Sequence, residues 1–506
     1  MSVANPTASH DIGERDADEV SSALAPPRVE YDLVRAHSLA AVITLIIAAI
    51  FGTIVALKFT YPDFLGSYPW ASWGRLRYDH TQGILWGWLC NAFLATLYHF
   101  VPRLADKPVT SRRIGWILFW TWNIGVVFSG WSLVLAGLDH WLVAAKPLAW
   151  TEFPAITNAI TEVCLALWAV QFISPLLARR ANGGLYVSAW YIIGGGVFSF
   201  LSFPIGSLVP ELVPGAMGAA FSGLWIHDAV GLLVTPFTLA IAYAVIPATT
   251  RQPVYSHFLS MIGFWGLFFM YPLNGTHHYV YSALPMDTQR AAIIASIYLG
   301  ADVILVVTNL LMSLNNQGMV VLRDIPLRYV WTGIIFYLLV SLQGSFQALM
   351  PVQALVHFTD WKIAHSHLAM LGFATFVAAG GVAHAWQRLP SSRYNATAMA
   401  WSYWLITIGL MVMFFDLTAA GLVEAHLWES GAPWIDSVRA VSSYWAFRDA
   451  SAVPILAGFL AFLLGLTTGP KGGVSLEAMS EKSMSENLVR SAPARLVANP
   501  VAGELI

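Results

Sequence analysis

The sequence predicts an all-α integral membrane protein of about twelve transmembrane helices, and two observations predict it. Hydrophobic residues make up 57% and charged residues 11% of the 506, against about a quarter charged in an average soluble domain. Apolar stretches long enough to cross a bilayer core of about 30 Å recur along almost the whole chain. They fall at roughly 38–58, 81–101, 114–137, 156–178, 187–208, 217–246, 257–284, 290–313, 329–350, 363–386, 398–423 and 450–468. Residues 1–30 and 470–506 read as disordered tails on the cytoplasmic side, flanking a twelve-span core at 31–469.

An even number of spans puts both termini on one side, and the basic residues choose that side. Arg103, Lys107, Arg112, Arg113, Arg179, Arg180, Arg251, Arg323, Arg328, Arg388 and Arg393 fall in connections on the face of the termini. The opposite face carries fewer, chiefly Arg75, Arg77, Lys146, Arg439 and Arg448. The positive-inside rule then makes the termini of this multi-pass protein cytoplasmic. No cleavable signal is visible, because residues 1–30 have no apolar core. A net charge of −2 says nothing sharp about partners; the lipid membrane is an expected partner and nucleic acid is not. Cys90 and Cys164 are the only cysteines and both lie within spans. No disulfide, cysteine metal site or covalently attached c-type heme is therefore expected.

The histidines carry the chemistry. His365-Ser366-His367 puts two imidazoles two residues apart, about 200° around a helix, so they point to nearly opposite sides and cannot share one ion. One helix would serve two centres. With alternate spans running outward and inward, His80, His365 and His367 lie near the outer surface. His227 lies about ten residues into the sixth span, roughly 15 Å deep, and His277 and His278 lie near the outer end of the seventh. Six histidines from four spans thus share the outer half of the membrane.

Adjacent residues diverge by about 100° on a regular helix, so for His277 and His278 to meet one ion the helix must loosen locally. Pro272 and Asn274-Gly275 supply the means. With His227, three imidazoles could hold one transition metal with a position left open, copper or iron by ligand type. A lone histidine in a span is ordinarily a hydrogen-bonded packing residue, the reading given to His99, His357 and His384. His10, His37, His140, His257 and His426 read as tail or loop residues. That bland reading fails for the paired histidines at matching depth, because burying so many polar rings without a use is costly.

Trp225-Ile226-His227-Asp228-Ala229-Val230-Gly231, Gly275-Thr276-His277-His278 and Phe358-Thr359-Asp360-Trp361 through His367 resemble subunit I of the heme-copper oxidoreductases, and within it the C-family, the cbb3-type cytochrome c oxidases. The resemblance covers about residues 35–467. It implies a low-spin heme b held by His80 and His367, a high-spin heme of b-type held by His365, and a copper, CuB, held by His227, His277 and His278.

A tyrosine selects the subfamily. A-family oxidases carry theirs four residues after the sixth-span histidine, where this chain has Gly231. C-family oxidases carry it on the seventh span, six residues before the His-His pair, where this chain has Tyr271. The segment Arg251-Gln252-Pro253-Val254-Tyr255-Ser256 ahead of it is also C-like. By resemblance Tyr271 is cross-linked to a CuB histidine and supplies an electron and a proton when the O–O bond breaks; its bland reading is a packing or interface tyrosine. Gly74-Arg75-Leu76-Arg77 resembles the family stretch whose arginines meet heme propionates, a role that suits the planar guanidinium fork of Arg75 and Arg77. A plain interfacial charge is the competing reading.

Two positions depart from the C-family pattern. Asp228 stands where asparagine is usual, and Gln343 where a ninth-span glutamate is usual. A carboxylate at Asp228 turned towards the metal would favour a harder ion such as iron, the direction of the nitric oxide reductases, which carry non-heme iron. Against that reading, those enzymes place glutamate where Gly231 stands and lack the tyrosine. Proton-route candidates are Asp302, with Ser296, Tyr298, Thr308 and Asn309 around it, and Gln343; an ionisable residue at mid-membrane depth is a functional suspect.

The expected function is the catalytic subunit of a respiratory terminal oxidase that reduces O2 to water, with electrons from the outer side and protons drawn through the protein. Nitric oxide reduction at a non-heme iron is the alternative, and a heme-free polytopic transporter with histidine relays a remote one. Without a c-heme motif or a soluble copper domain, electrons must come from a partner protein with c-type heme or a cupredoxin-like copper domain.

Overall fold

The structure, a computed structural model, describes residues 29–180 and 184–471. The tails expected at 1–30 and 470–506 lie almost wholly outside these. Among the described residues, twelve helices are long and apolar enough to cross a membrane: α1 Tyr31–Thr60, α2 Trp73–Ala105, α3 Arg112–Ala136, α4 Ala155–Arg179, α5 Val187–Leu212, α6 Ala216–Thr250, α7 His257–Tyr279, α8 Met286–Met312, α9 Ile325–Gln347, α10 Asp360–Trp386, α11 Ala396–Glu429 and α12 Trp434–Thr467. No strand occurs among the described residues beyond an isolated bridge between Arg393 and Lys471. In a bilayer every backbone polar group must be satisfied within its own segment, so helices are the expected solution.

The bundle is layered. In α2, α6 and α10, 94% of the apolar stretch is covered by protein, against 28–56% in the other nine. These three helices touch one another, and the outer helices pack around them, α1 against α2 and α12, α5 against α6, α9 against α10. Large rings fill the space between, with Trp86, Trp88, Trp122, Trp168 and Trp225 fully buried. At the end bearing the termini, several helices begin on a side-chain cap: Ser256 Oγ accepts from Leu259 N (3.2 Å) in α7, Asp324 Oδ1 from Leu327 N (2.8 Å) in α9, and Asn395 Oδ1 from Ala398 N (3.0 Å) in α11. Such caps satisfy backbone donors that a helix start leaves orphaned.

Three details differ from the expectation. The last helix starts at Trp434 rather than near 450, because its polar first half packs instead of forming a loop: Arg448 Nη2 donates to Ala56 O of α1 (2.6 Å) and lies 3.5 Å from Asp449. α2 starts at Trp73, so His80 stands within a helix and not at its mouth. His37, expected in a loop, is fully buried in α1 with its Nδ1 2.7 Å from Asn91 Oδ1.

The inner helices share one more feature. A π-helical stretch follows the histidines of each: Gly83–Leu89 after His80, Ala229–Val234 after His227 and Leu368–Thr375 after His367. Such stretches re-aim the side chains on either side of them and recur at functional sites.

Candidate active site

All six histidines gather at the end of the bundle opposite the termini, in two sites on either side of α10. On one side the rings of His80 and His367 face each other, centroids 6.3 Å apart and planes within 23°. Each ring is pinned through Nδ1 to a backbone carbonyl, His80 to Ala48 O (2.8 Å) and His367 to Ile363 O (2.9 Å). A carbonyl only accepts, so Nδ1 carries the proton in both and Nε2 is left with a free lone pair. Two metal–nitrogen bonds of about 2 Å, one on each side, fit between rings at this separation. The pair therefore suits a hexacoordinate iron with an imidazole on each face.

Gly52 of α1 makes room for this arrangement. A Cβ there would lie 2.5 Å from His80 Nδ1 and 2.6 Å from its Cε1. No sequence signal marked this glycine.

On the other side of α10, His365 faces a cavity of about 840 Å3 together with His227, His277, His278 and Tyr271. The volume is at the upper end of the usual range for cofactor sites, and the walls are apolar towards the membrane interior, with Leu299, Val303, Val340, Met370 and Phe373. The Nδ1 of His365 donates to Gln343 Oε1 of α9 (3.1 Å), leaving Nε2 for an iron. Gln343, expected as a proton-route residue, sits as the orienting partner of this histidine.

Candidate ligand atoms of His227, His277 and His278 all lie within 4.8 Å of one another. The ring centroids are 4.6 Å apart for His227 and His277, 5.4 Å for His227 and His278, and 4.6 Å for His277 and His278. Adjacent histidines converge because α7 tightens into a 3-10 turn at Gly275–Tyr279, where the expectation was an unwound one. Ser296 of α8 fixes the tautomer of His277: its hydroxyl donates to Ala292 O (2.7 Å), so it accepts from His277 Nδ1 (2.8 Å). Three neutral imidazoles aimed at one point are a donor set for a borderline transition metal.

Tyr271 stacks on His227, centroids 4.8 Å apart and planes within 18°. Asp228 does not join the donor group; it is buried one position around α6 and its Oδ1 has no hydrogen-bond partner among the described residues. Arg75 donates from Nη1 to Pro69 O (3.0 Å) and Leu135 O (3.2 Å), and Arg77 pairs with Glu152 (3.1 Å). Both arginines thus have protein partners at the outer rim. Glu152 lies in the loop before α4, also bound by Gln82 and Thr81, and burial pushes its carboxyl up to about 7 against the pull of Arg77.

Asp302 is buried in α8, its Oδ1 without a partner among the described residues. Ser296 and Asn309 are buried like it, whereas Tyr298 and Thr308, expected beside it, are exposed. Asn309 Nδ2 reaches Ser260 Oγ (2.8 Å) and Tyr243 Oη (3.3 Å), and its Oδ1 accepts from Ser256 N (2.8 Å). His99 and His384 pack ring to ring at 6.0 Å near the opposite end, and His357 donates to Gln353 Oε1 (3.0 Å) at the cavity rim.

Comparison with known proteins shows the family and the fold. The family model described as cytochrome C and quinol oxidase polypeptide I matches residues 32–453. A cytochrome c oxidase subunit 1 homolog of Agrobacterium tumefaciens (strain T37) is 28% identical over 465 residues, 87% of this chain and 85% of that protein. The cbb3-type cytochrome c oxidase subunit CcoN1 of Stutzerimonas stutzeri is 28% identical over 411 residues, 79% of this chain and 85% of its own. A nitric oxide reductase subunit of the same organism is 24% identical over 442 residues, 82% and 87% of the two chains. In fold, the chain matches a heme-copper terminal oxidase dimer solved by cryo-EM, with TM-score 0.70 and 12% identity over 91% of this chain and 90% of that one. The chain belongs to the cytochrome c and quinol oxidase polypeptide I family, as a heme-copper oxidoreductase subunit I on its cbb3-type side.

Proposed function

We propose that this chain is the catalytic subunit of a bacterial respiratory oxidase that reduces O2 to water. One observation carries the reading: six imidazoles from four helices form a facing pair, a single ring turned into a cavity, and a triple donor set across that cavity. When bound, two hemes and a copper would supply electron transfer and the reduction of O2. His80 and His367 would hold the low-spin heme, His365 the high-spin heme, and His227, His277 and His278 the copper.

The protein's own part is positioning and proton supply. α10 bears both His365 and His367, so hemes held by these two residues would keep their spacing through one helix. Tyr271, its ring stacked on His227, would serve as a proton donor for the metal site. Asn309, Asp302 and Ser296 are buried positions of α8, in that order from the terminal end towards the cavity. Protons would enter along this face from the cytoplasm, where both termini lie, while electrons come from a partner subunit on the outer side carrying c-type heme or a cupredoxin-like copper.

Oxygen is favoured over nitric oxide by two features. The donor set is three imidazoles with Asp228 outside it, and a tyrosine fills the space beside His227. Metal and heme quantification on the isolated complex, with turnover measured on each gas, is the test. One copper per two hemes with O2 consumption is the expected result; an additional iron, no copper and turnover on NO alone would overturn it.

A further inference from the structure

Lys362 stands three residues before His365 on α10, about 4.5 Å up the axis and on the same helix face. It lines the cavity with His277, His278, His357 and His365. Its ammonium has no hydrogen bond or ion pair among the described residues. Other basic groups at this end have partners: Arg77 pairs with Glu152 (3.1 Å), Lys146 with Glu211 (2.9 Å), Arg439 with Asp436 (3.3 Å) and Arg448 with Asp449 (3.5 Å), while Lys58, which also lines the cavity, donates to Phe64 O. The two carboxylates that line the cavity, those of Asp360 and Glu424, are engaged elsewhere. Asp360 Oδ2 accepts from Trp445 Nε1 (2.8 Å), and Glu424 Oε2 accepts from the backbone N of Asp360 (2.7 Å).

A part-buried cation without an anion is costly to keep, and the deficit is made up when the missing charge is bound. The cavity states what shape that anion has. Its inner wall is apolar, with Val303, Val340 and Phe373, and its outer rim is polar, with Lys362, His357 and Gln347. A ligand with a broad apolar body and carboxylates along one edge fits with that edge outward. On the reading that His365 holds a heme, we propose that Lys362 is the counter-cation of a carboxylate side chain of that heme, anchoring it by an ion pair and holding its iron more easily reduced. Arg75 and Arg77, which meet protein partners beside the other site, leave this role on the cavity side to Lys362.

The test uses the whole isolated complex and the variants Lys362→Met and Lys362→Arg, with heme content, CO binding and equilibrium redox titration as readouts. In Lys362→Met the CO-binding heme should titrate lower, its reduced fraction at a fixed ambient potential falling on the order of tenfold, while the low-spin heme is unmoved. Lys362→Arg should restore the wild-type curve. Loss of the CO-binding heme from the methionine variant alone also supports the anchor. Full heme content in Lys362→Met with a titration superimposable on wild type would overturn the proposal. A wild-type complex without a CO-binding heme would instead remove the assignment of His365, and with it this inference.

Discussion

The ring of Tyr271 occupies the space that a side chain at position 231 would need. A Cβ built on Gly231 runs into Cγ, Cδ1 and Cε1 of that ring. The glycine on α6 and the tyrosine on α7 are therefore two halves of one packing solution, and the stack of Tyr271 on His227 depends on both.

Gly231→Ala should displace the ring and depress turnover while leaving both hemes in place, because the clash is confined to the tyrosine. Tyr271→Phe keeps the packing and removes the hydroxyl. If the phenol donates a proton during turnover, Tyr271→Phe should lose about a hundredfold or more of activity with an unchanged heme spectrum. Near wild-type O2 consumption by Tyr271→Phe would eliminate that role.

Ser296 accepts the Nδ1 proton of His277, the kind of outer partner that sets ligand basicity and orientation. Ser296→Ala should weaken metal retention at the three-histidine site by about ten- to a hundredfold, read as copper lost on chelator dialysis. Heme content should stay constant, because Ser296 hydrogen-bonds to His277 and Ala292 and to none of the histidines assigned to heme.

Gln343 presents a neutral amide oxygen to His365 Nδ1 (3.1 Å). A carboxylate in its place would pull harder on that proton and make the imidazole a stronger donor. Gln343→Glu should lower the potential of the CO-binding heme and leave the low-spin heme, on the opposite face of α10, where it was. Equal shifts in both hemes would mean that the effect is a general change of field and not a ligand effect.

The spans and the histidine pairs were legible because their signals are local: an apolar run of membrane length, and a two-residue spacing that divides one helix between two centres. What escaped depends on helix phase or on a second helix. Where a helix is apolar all round, its pattern does not fix which face turns inward, so Tyr298 and Thr308 read as neighbours of Asp302 although they are exposed and Asp302 is buried. Gly52 and Ser296 act on histidines borne by other helices, and nothing near them in the chain announces it. The helical stretch from Trp434 to Asp449 is hidden in the sequence because its arginines and aspartates resemble a loop until packing supplies their partners. The family resemblance assigned ligands to the six histidines, but the hydrogen bond that orients His365 emerged only from the fold.

Glu152 gives the outer rim a pH response near neutrality. Its carboxylate is 3.1 Å from Arg77 yet 1% exposed, and burial outweighs the arginine, raising it from 4.5 to about 7. The folded protein thus binds this proton more tightly than the unfolded chain. The sign follows: between about 4.5 and about 7 the folded state holds the proton and the unfolded state has lost it, so stability falls as pH rises through that window. A shift of this size corresponds to about 3 kcal/mol. Thermal stability of the wild-type complex should therefore decline from pH 5 to pH 8 more steeply than that of Glu152→Gln, which carries no proton to lose. An infrared carboxyl band titrating near pH 7 and absent from Glu152→Gln would identify the group. Parallel stability curves for the two proteins would show instead that Arg77 keeps Glu152 ionised throughout.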